Sequence, residues 1–288
     1  LGMTMLPLLV GAATTQLGFS DSQAGYLASI DLLGIVLAAV TAPFWIHRIS
    51  RKKLALIAVA LLVVGNLYSM LATGFIELSC ARFVAEVGSG IAFSLSLAVL
   101  GERKNPDRFF SLGIGSTISL AVLVFLWLPG FITQYGFSTI FVAHLFITLV
   151  VGLFIRWLPS YGSRYKTTKV PLNVPIKTGY RGLLICFAGF FCFTVVEGGV
   201  WSYIERIGDY HGLSASYIGN VLAITQVISV IASIASTVLS TKYGRLFPVM
   251  FGGVTFLASL YLIQQEQSWL YLLGACMSRF AYVFTLPY

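Results

Sequence analysis

The chain has 288 residues, of which 58% are hydrophobic and 10% charged, and its mean hydropathy is +0.89; it lacks the polar residues that would clothe a soluble core of this size. Its formal net charge of +8 is dispersed among short loops rather than gathered on one folded basic surface, which excludes a nucleic-acid-binding function. The solvent that remains is lipid, where a spanning helix needs about 20 apolar residues.

Ten apolar runs follow in chain order, at 1–17, 24–46, 54–73, 76–100, 110–131, 137–158, 182–205, 214–240, 246–264 and 268–288. Each is continuous and longer than a tilted strand requires, so helices rather than a closed β-barrel are expected. The first run is short, does not begin with Met and lacks the basic leading segment of a removable signal peptide; a truncated first helix is expected. The second carries Asp31 at about 13 Å depth by helical rise, on a face with Ala24, Ala28, Ala38 and Ala42, the small residues that let helices approach. A charge at that depth costs about 2.5 kcal/mol or more unless it has a partner or a watery cavity. Asp31 is therefore either a structural carboxylate bonded to a neighbouring helix or a proton or substrate site.

In the fourth run Ser79, Arg82, Glu86, Ser89, Phe93 and Ser96 recur at spacings of three and four, a mostly polar stripe expected to face a central cavity. Arg82 and Glu86 are one turn apart and can pair, either as a permanent structural ion pair or as a proton-coupling site. The sixth run holds a lone His144, read as a packing residue, and His47 belongs to a basic loop. The seventh run offers Phe190, Thr194, Glu197, Trp201 and Glu205 at the same spacing, followed by Arg206. Glu197 is deep enough to face a cavity, Trp201 and Tyr203 are candidate substrate contacts, and Glu205 with Arg206 is expected to form an interfacial pair. The eighth run carries a mild polar line, Thr225, Ser229, Ser233, Ser236 and Ser240, of the kind that packs helices. Trp45, Trp157, Trp201 and Trp269 near run ends suit interfacial belts.

Of the 18 Lys and Arg residues, 15 lie in the junctions at 47–53, 101–109, 156–181 and 241–245. Every second loop is thus basic, which places those loops and the N-terminus in the cytoplasm. The four cysteines lie inside apolar runs without metal-ligand spacing, and no P-loop, catalytic triad, HExxH or Rossmann fingerprint occurs in an intelligible context. No metal, no cofactor and no enzymatic activity are expected.

A shift of 194 residues aligns Gly18-Phe-Ser20-Asp-Ser22-Gln-Ala-Gly25 with Gly212-Leu-Ser214-Ala-Ser216-Tyr-Ile-Gly219, and a shift of 197 brings Ala-Arg82-Phe83 onto Ser-Arg279-Phe280. That period predicts two six-helix halves. The linker between them, 159–181, includes Pro171 and Pro175 and suits an exposed cytoplasmic connection.

The loop after the second run reads Pro43-Phe-Trp45-Ile-His47-Arg48-Ile-Ser50-Arg51-Lys52, its second copy contains Lys242-Tyr-Gly244-Arg245, and the fourth run carries Arg82-Phe-Val-Ala-Glu86-Val-Gly88-Ser-Gly90. Together with the two six-helix halves, these resemble the major facilitator superfamily over essentially the whole chain. Arg48, Arg51 and Lys52 match that family's loop motif, whereas Pro43, His47 and Ser50 stand in place of its Gly, Asp and Gly. The second copy keeps the Lys242, Gly244 and Arg245 core and has Thr241 where the family has Asp. Glu86 stands where a glycine is commoner. Gly113, Gly115 and Pro129-Gly130 do not reproduce the Gly-Pro motif of the antiporter branch.

The resemblance implies an all-α integral membrane bundle of two pseudo-symmetric halves. Residues 1–158 would form the first bundle, 159–181 the linker and 182–288 helices 7–10 of the second. The start of helix 1 and helices 11 and 12 are expected to be lacking. The implied function is secondary active transport of a small solute by alternating access, coupled to protons, in a monomer of the bacterial inner membrane. Asp31, Arg82, Glu86, Glu197, Trp201 and Tyr203 are the residues expected along the pathway. A transporter-like receptor or scaffold that binds a ligand without moving it is the alternative.

Overall fold

The computed structural model describes residues 2–102, 106–158, 180–239 and 246–285. Among them the regular structure is helical throughout, in ten α-helices: α1 (Gly2–Leu17), α2 (Asp21–Trp45), α3 (Arg51–Leu71), α4 (Phe75–Gly101), α5 (Pro106–Tyr135), α6 (Thr139–Leu153, continued by a 3-10 turn at Phe154–Trp157), α7 (Tyr180–Tyr210), α8 (Ala215–Leu239), α9 (Leu246–Ile263) and α10 (Ser268–Thr285). Eight of these, α2 to α9, are long and apolar enough to cross a membrane. Their outer faces carry large apolar side chains, among them Val40, Phe44, Phe146 and Leu257, an arrangement stable only against hydrocarbon.

Helix ends depart from the apolar runs for a local reason. Hydropathy detects the lipid-crossing stretch, but polar residues extend helices into the interface. Ser20 caps α2, accepting from the Gln23 backbone N–H while the Gln23 side chain accepts from Ser20 N–H, so α2 starts at Asp21 rather than 24. Helix α7 likewise runs past Glu205 to Tyr210. It closes on Gly212 at φ +72°, with Gly212 N–H donating to Asp209 and Leu213 N–H to Gly208, a Schellman ending that only glycine adopts without strain.

The repeated octets occupy equivalent turns. Gly18 has φ +67°, close to that of Gly212, and Ser214 accepts from the Tyr217 backbone N–H at 3.2 Å as Ser20 accepts from Gln23. Each octet also ends on a glycine at a crossing. A Cβ on Gly25 would meet the Tyr203 hydroxyl of α7 at 2.2 Å, and one on Gly219 would meet the Phe125 carbonyl of α5 at 2.5 Å.

Helix α4 packs closely between α2 and α3, α3 also rests on α6, and α10 packs on α8 and α9; α1 against α7 and α5 against α8 join these groups. Small residues set the spacing around α4. A Cβ on Gly34 of α2 would lie 2.8 Å from the Phe83 carbonyl, and one on Gly88 of α4 2.7 Å from the Ala58 carbonyl of α3. The small face expected on α2, Ala24, Ala28, Ala38 and Ala42, is buried throughout, and a Cβ on Gly90 of α4 would meet that of Ala38 at 2.7 Å. An apolar core lies where α1, α2, α5, α7 and α8 meet, with Leu9, Leu27, Phe125, Trp201, Ile218 and Leu222 among its members.

Candidate functional site

Close approach of α2 and α3 to α4 assembles a buried charge cluster. Arg82, 1% exposed, donates from Nε to Asp31 Oδ1 at 2.8 Å and from Nη2 to Asp31 Oδ2 at 3.2 Å. Its Nη1 donates to Asn66 Oδ1 of α3 at 3.1 Å, and Nη2 also reaches Glu86 Oε1 one turn along α4. The Phe141 ring of α6 lies 5.6 Å from its Cζ. The side-on fork of the guanidinium thus grips Asp31 in the bidentate geometry that suits a carboxylate. One guanidinium faces two carboxylates, and Glu86 Oε2 is buried without a hydrogen-bond partner, so the cluster has room for a proton.

The α4 stripe, expected to face a central cavity, divides into a buried part and a part that lines a cavity. Ser79, Arg82 and Glu86 are buried, because Gly34 and Gly88 bring α2 and α3 over them. Further along, Glu86, Ser89, Phe93 and Ser96 line a cavity of about 790 Å³ whose other walls come from Gly2, α3, α5 and α6. It extends to Leu100 and Leu158, at the end of the bundle that carries the basic loops. His144 also lines it and is buried, with Nδ1 3.1 Å from the Ile140 carbonyl and Nε2 unpaired. A lone histidine in an apolar helix gave no sequence signal for that position.

A second, partly buried pair joins α7 to α10. Arg279 Nη1 donates to Glu197 Oε1 at 2.6 Å, and its Cζ lies 4.4 Å from the Trp201 ring centroid and 5.7 Å from that of Tyr282. Trp201 is buried and donates from Nε1 to the Met3 carbonyl of α1 at 3.1 Å. The Nε of Arg279 is buried and unpaired. Its partner Glu197 was legible as a deep carboxylate; Arg279 was marked only by the repeat that matches it to Arg82.

Tyr203 lies apart from Trp201, at the end of the bundle opposite the basic loops, where its hydroxyl donates to the Asp21 carbonyl of α2 at 2.6 Å. Arg206 joins it there, donating to Asp21 at 3.1 Å and to Asp209 at 2.7 Å. The expected Glu205–Arg206 pair does not form, because successive residues on a helix do not face each other. Glu205 instead turns against α1, where a Cβ on Gly11 would fall 1.3 Å from its Oε2, and that oxygen has no partner. Among the described residues, the hydrogen bonds linking α1–α6 to α7–α10 are those of Trp201, Tyr203 and Arg206. All lie at mid-depth or toward this end.

At the basic end, buried Arg51 pairs with Glu102 at the close of α4, while Arg48 is exposed and Lys52 half-buried. Lys242, Gly244 and Arg245, like most of the 159–181 linker, lie outside the described residues. Among the described residues no three His, Cys, Asp or Glu side chains gather as metal ligands would.

The family model described as Major Facilitator Superfamily matches residues 1–288. The chain is similar to the 3-(3-hydroxy-phenyl)propionate transporter of Escherichia coli (strain K12), 26% identical over 199 residues, which are 66% of this chain and 49% of that protein. It is also similar to the putative transporter AraJ of the same organism, 27% identical over 147 residues, 50% of this chain and 37% of AraJ. The chain thus spans less than half the length of either relative. In fold it resembles the xylose transporter XylE from E. coli in a partially occluded inward open conformation, with a TM-score of 0.76, 13% identity, and coverage of 99% of this chain and 78% of that one. The nucleoside transporter NupG (D323A mutant) gives a TM-score of 0.72 at 14% identity, over 98% of this chain and 76% of its own.

Proposed function

The chain belongs to the Major Facilitator Superfamily, and we propose that it is a secondary active transporter that moves a small organic solute by alternating access, coupled to protons. The observation that carries this reading is the Arg82 cluster, in which a fully enclosed guanidinium holds two carboxylates and one carboxylate oxygen is left unpaired. Such an arrangement is costly in lipid unless it is used. Glu86 gains a proton in one orientation of the bundle and loses it in the other; Asp31 anchors Arg82 to α2 throughout. Arg279, Glu197 and Trp201 form the corresponding cluster on the second side.

Residues 1–158 and 182–288 move as two bodies joined by the cytoplasmic linker 159–181. The contacts of Tyr203 and Arg206 with Asp21 hold the outer end shut, so that the solute path opens toward the basic, cytoplasmic end. This is the inward-facing member of an alternating pair. The relatives named for xylose, a nucleoside and an aromatic acid support a small organic solute. We assign the protein to the bacterial inner membrane as a monomer, with the N-terminus of the whole protein in the cytoplasm. Arg48, Arg51 and Lys52 line the cytoplasmic end that parts and rejoins, Arg51 through Glu102; Lys242, Gly244 and Arg245 are their counterparts in the sequence repeat.

The test is Glu86→Gln in the full-length protein reconstituted in vesicles. Loss of proton-driven accumulation with preserved solute exchange is expected. Wild-type accumulation would remove Glu86 from the coupling step.

A further inference from the structure

We infer that Arg279 is a carboxylate-binding subsite and that the solute is a small organic acid with a planar, apolar body. The subsite deepens the transport reading and rests on it only for the word solute. Its first support is the repeat. The shift that matches Arg82 to Arg279 places two arginines at equivalent points of α4 and α10, and the shift that matches Gly18 to Gly212 places Thr225 of α8 where Asp31 stands in α2.

In the first copy the side-on fork of the arginine, Nε and Nη2, is filled by Asp31 at 2.8 and 3.2 Å. In the second copy the residue that could fill it is a threonine, whose hydroxyl donates to its own helix at the Leu222 carbonyl, 2.7 Å away. Arg279 gives only Nη1 to Glu197. Among the described residues its Nε–Nη2 edge has no hydrogen-bond partner, and Nε is buried. An unused fork of this kind matches a carboxylate in shape and charge.

Two further observations point to an occupant from outside the protein. The Arg279 side chain is 16% exposed, against 1% for Arg82, so a small molecule can reach this guanidinium where that of Arg82 is sealed. The Trp201 ring centroid is 4.4 Å and that of Tyr282 5.7 Å from its Cζ, with Phe193 6.0 Å from Tyr282. Aromatic faces stacked on the guanidinium leave its edge to the carboxylate and offer walls to a flat apolar body. Arg82 cannot serve in this way, since each of its nitrogens is already engaged.

Isothermal titration of the purified full-length protein with 3-phenylpropionate and with the neutral 3-phenylpropanamide tests the inference. The acid is expected to bind at least about tenfold more tightly than the amide, the usual effect of one charge-assisted hydrogen bond. Arg279→Lys, which keeps the charge and loses the fork, should weaken the acid by about tenfold. Thr225→Asp, which supplies the second copy with its own carboxylate, should abolish acid binding while the melting temperature stays near or above that of the wild type. Equal binding of acid and amide, or undiminished acid binding in Arg279→Lys, overturns the subsite; should Thr225→Asp unfold, Arg279→Lys decides. Uptake into vesicles is scored separately. Binding without uptake counts against transport and leaves the subsite standing, whereas uptake indifferent to Arg279→Lys sinks the subsite alone.

Discussion

The Arg82 and Arg279 clusters occupy matching places in the two copies of the repeat yet differ in how completely each arginine is satisfied. Arg82 is sealed by three helices, with Asp31, Asn66 and Glu86 taking all its nitrogens. Arg279 has one carboxylate, two aromatic neighbours and an unpaired edge. A buried ion pair contributes little net stability but is costly to break. The sealed cluster is therefore suited to fixing geometry and holding a proton, and the open one to meeting a ligand.

Removing each arginine sharpens the contrast most. Arg82→Gln leaves two buried carboxylates without a counter-ion and should destabilise the protein by about 3–5 kcal/mol. Arg279→Gln strands a single buried carboxylate, Glu197, beside a partly exposed position, and should cost less than half as much. Thermal melts of the purified full-length variants compare them, and equal losses would erase the distinction.

The glycines that frame the first cluster come next. Gly34→Ala forces a Cβ to within 2.8 Å of the Phe83 carbonyl and should cost about 1–3 kcal/mol by overpacking. A Cβ on Gly115 of α5 would meet nothing within 4 Å, so Gly115→Ala should be neutral or stabilising by up to about 1 kcal/mol through helix propensity. Chemical denaturation of the two variants in the same detergent gives the comparison; a costly Gly115→Ala would contradict it.

The smallest stability effect belongs to the outer end. Arg206 and Asp21 are 33% and 67% exposed, so Arg206→Gln should change stability by less than about 1 kcal/mol. Its effect should appear instead as greater reactivity of a buried outer-end reporter, Ala12→Cys on α1, toward an impermeant thiol reagent. Unchanged labelling would mean that this contact does not hold the end shut.

Much of this organisation is legible in the sequence. Lipid demands about 20 apolar residues per crossing, so the helices could be counted from hydropathy, and the 15 basic loop residues mark the loops expected to share one face of the membrane. The octets at 18–25 and 212–219 revealed the repeat because each must supply a left-handed glycine, a capping serine and a glycine at a crossing. Arg82 and Glu86 were legible as a pair because helical spacing alone brings them together. Asp31 and Asn66 reach the same arginine across 51 and 16 residues, a distance that only tertiary packing closes. Adjacency misled at Glu205 and Arg206, whose side chains diverge around the helix, and His144 carried no periodic signal at all.

Paired distance measurements between spin labels test the rocking of α1–α6 against α7–α10 most directly. Tyr135 and Tyr210, 63% and 84% exposed, end α5 and α7 at the outer face; Phe44 and Leu246, 68% and 75% exposed, lie at the basic end. Labelled at cysteines in the full-length protein and exposed to solute at acidic pH, the outer pair should move apart while the basic pair closes. Distances that stay fixed at both ends, or lengthen together, would contradict alternating access.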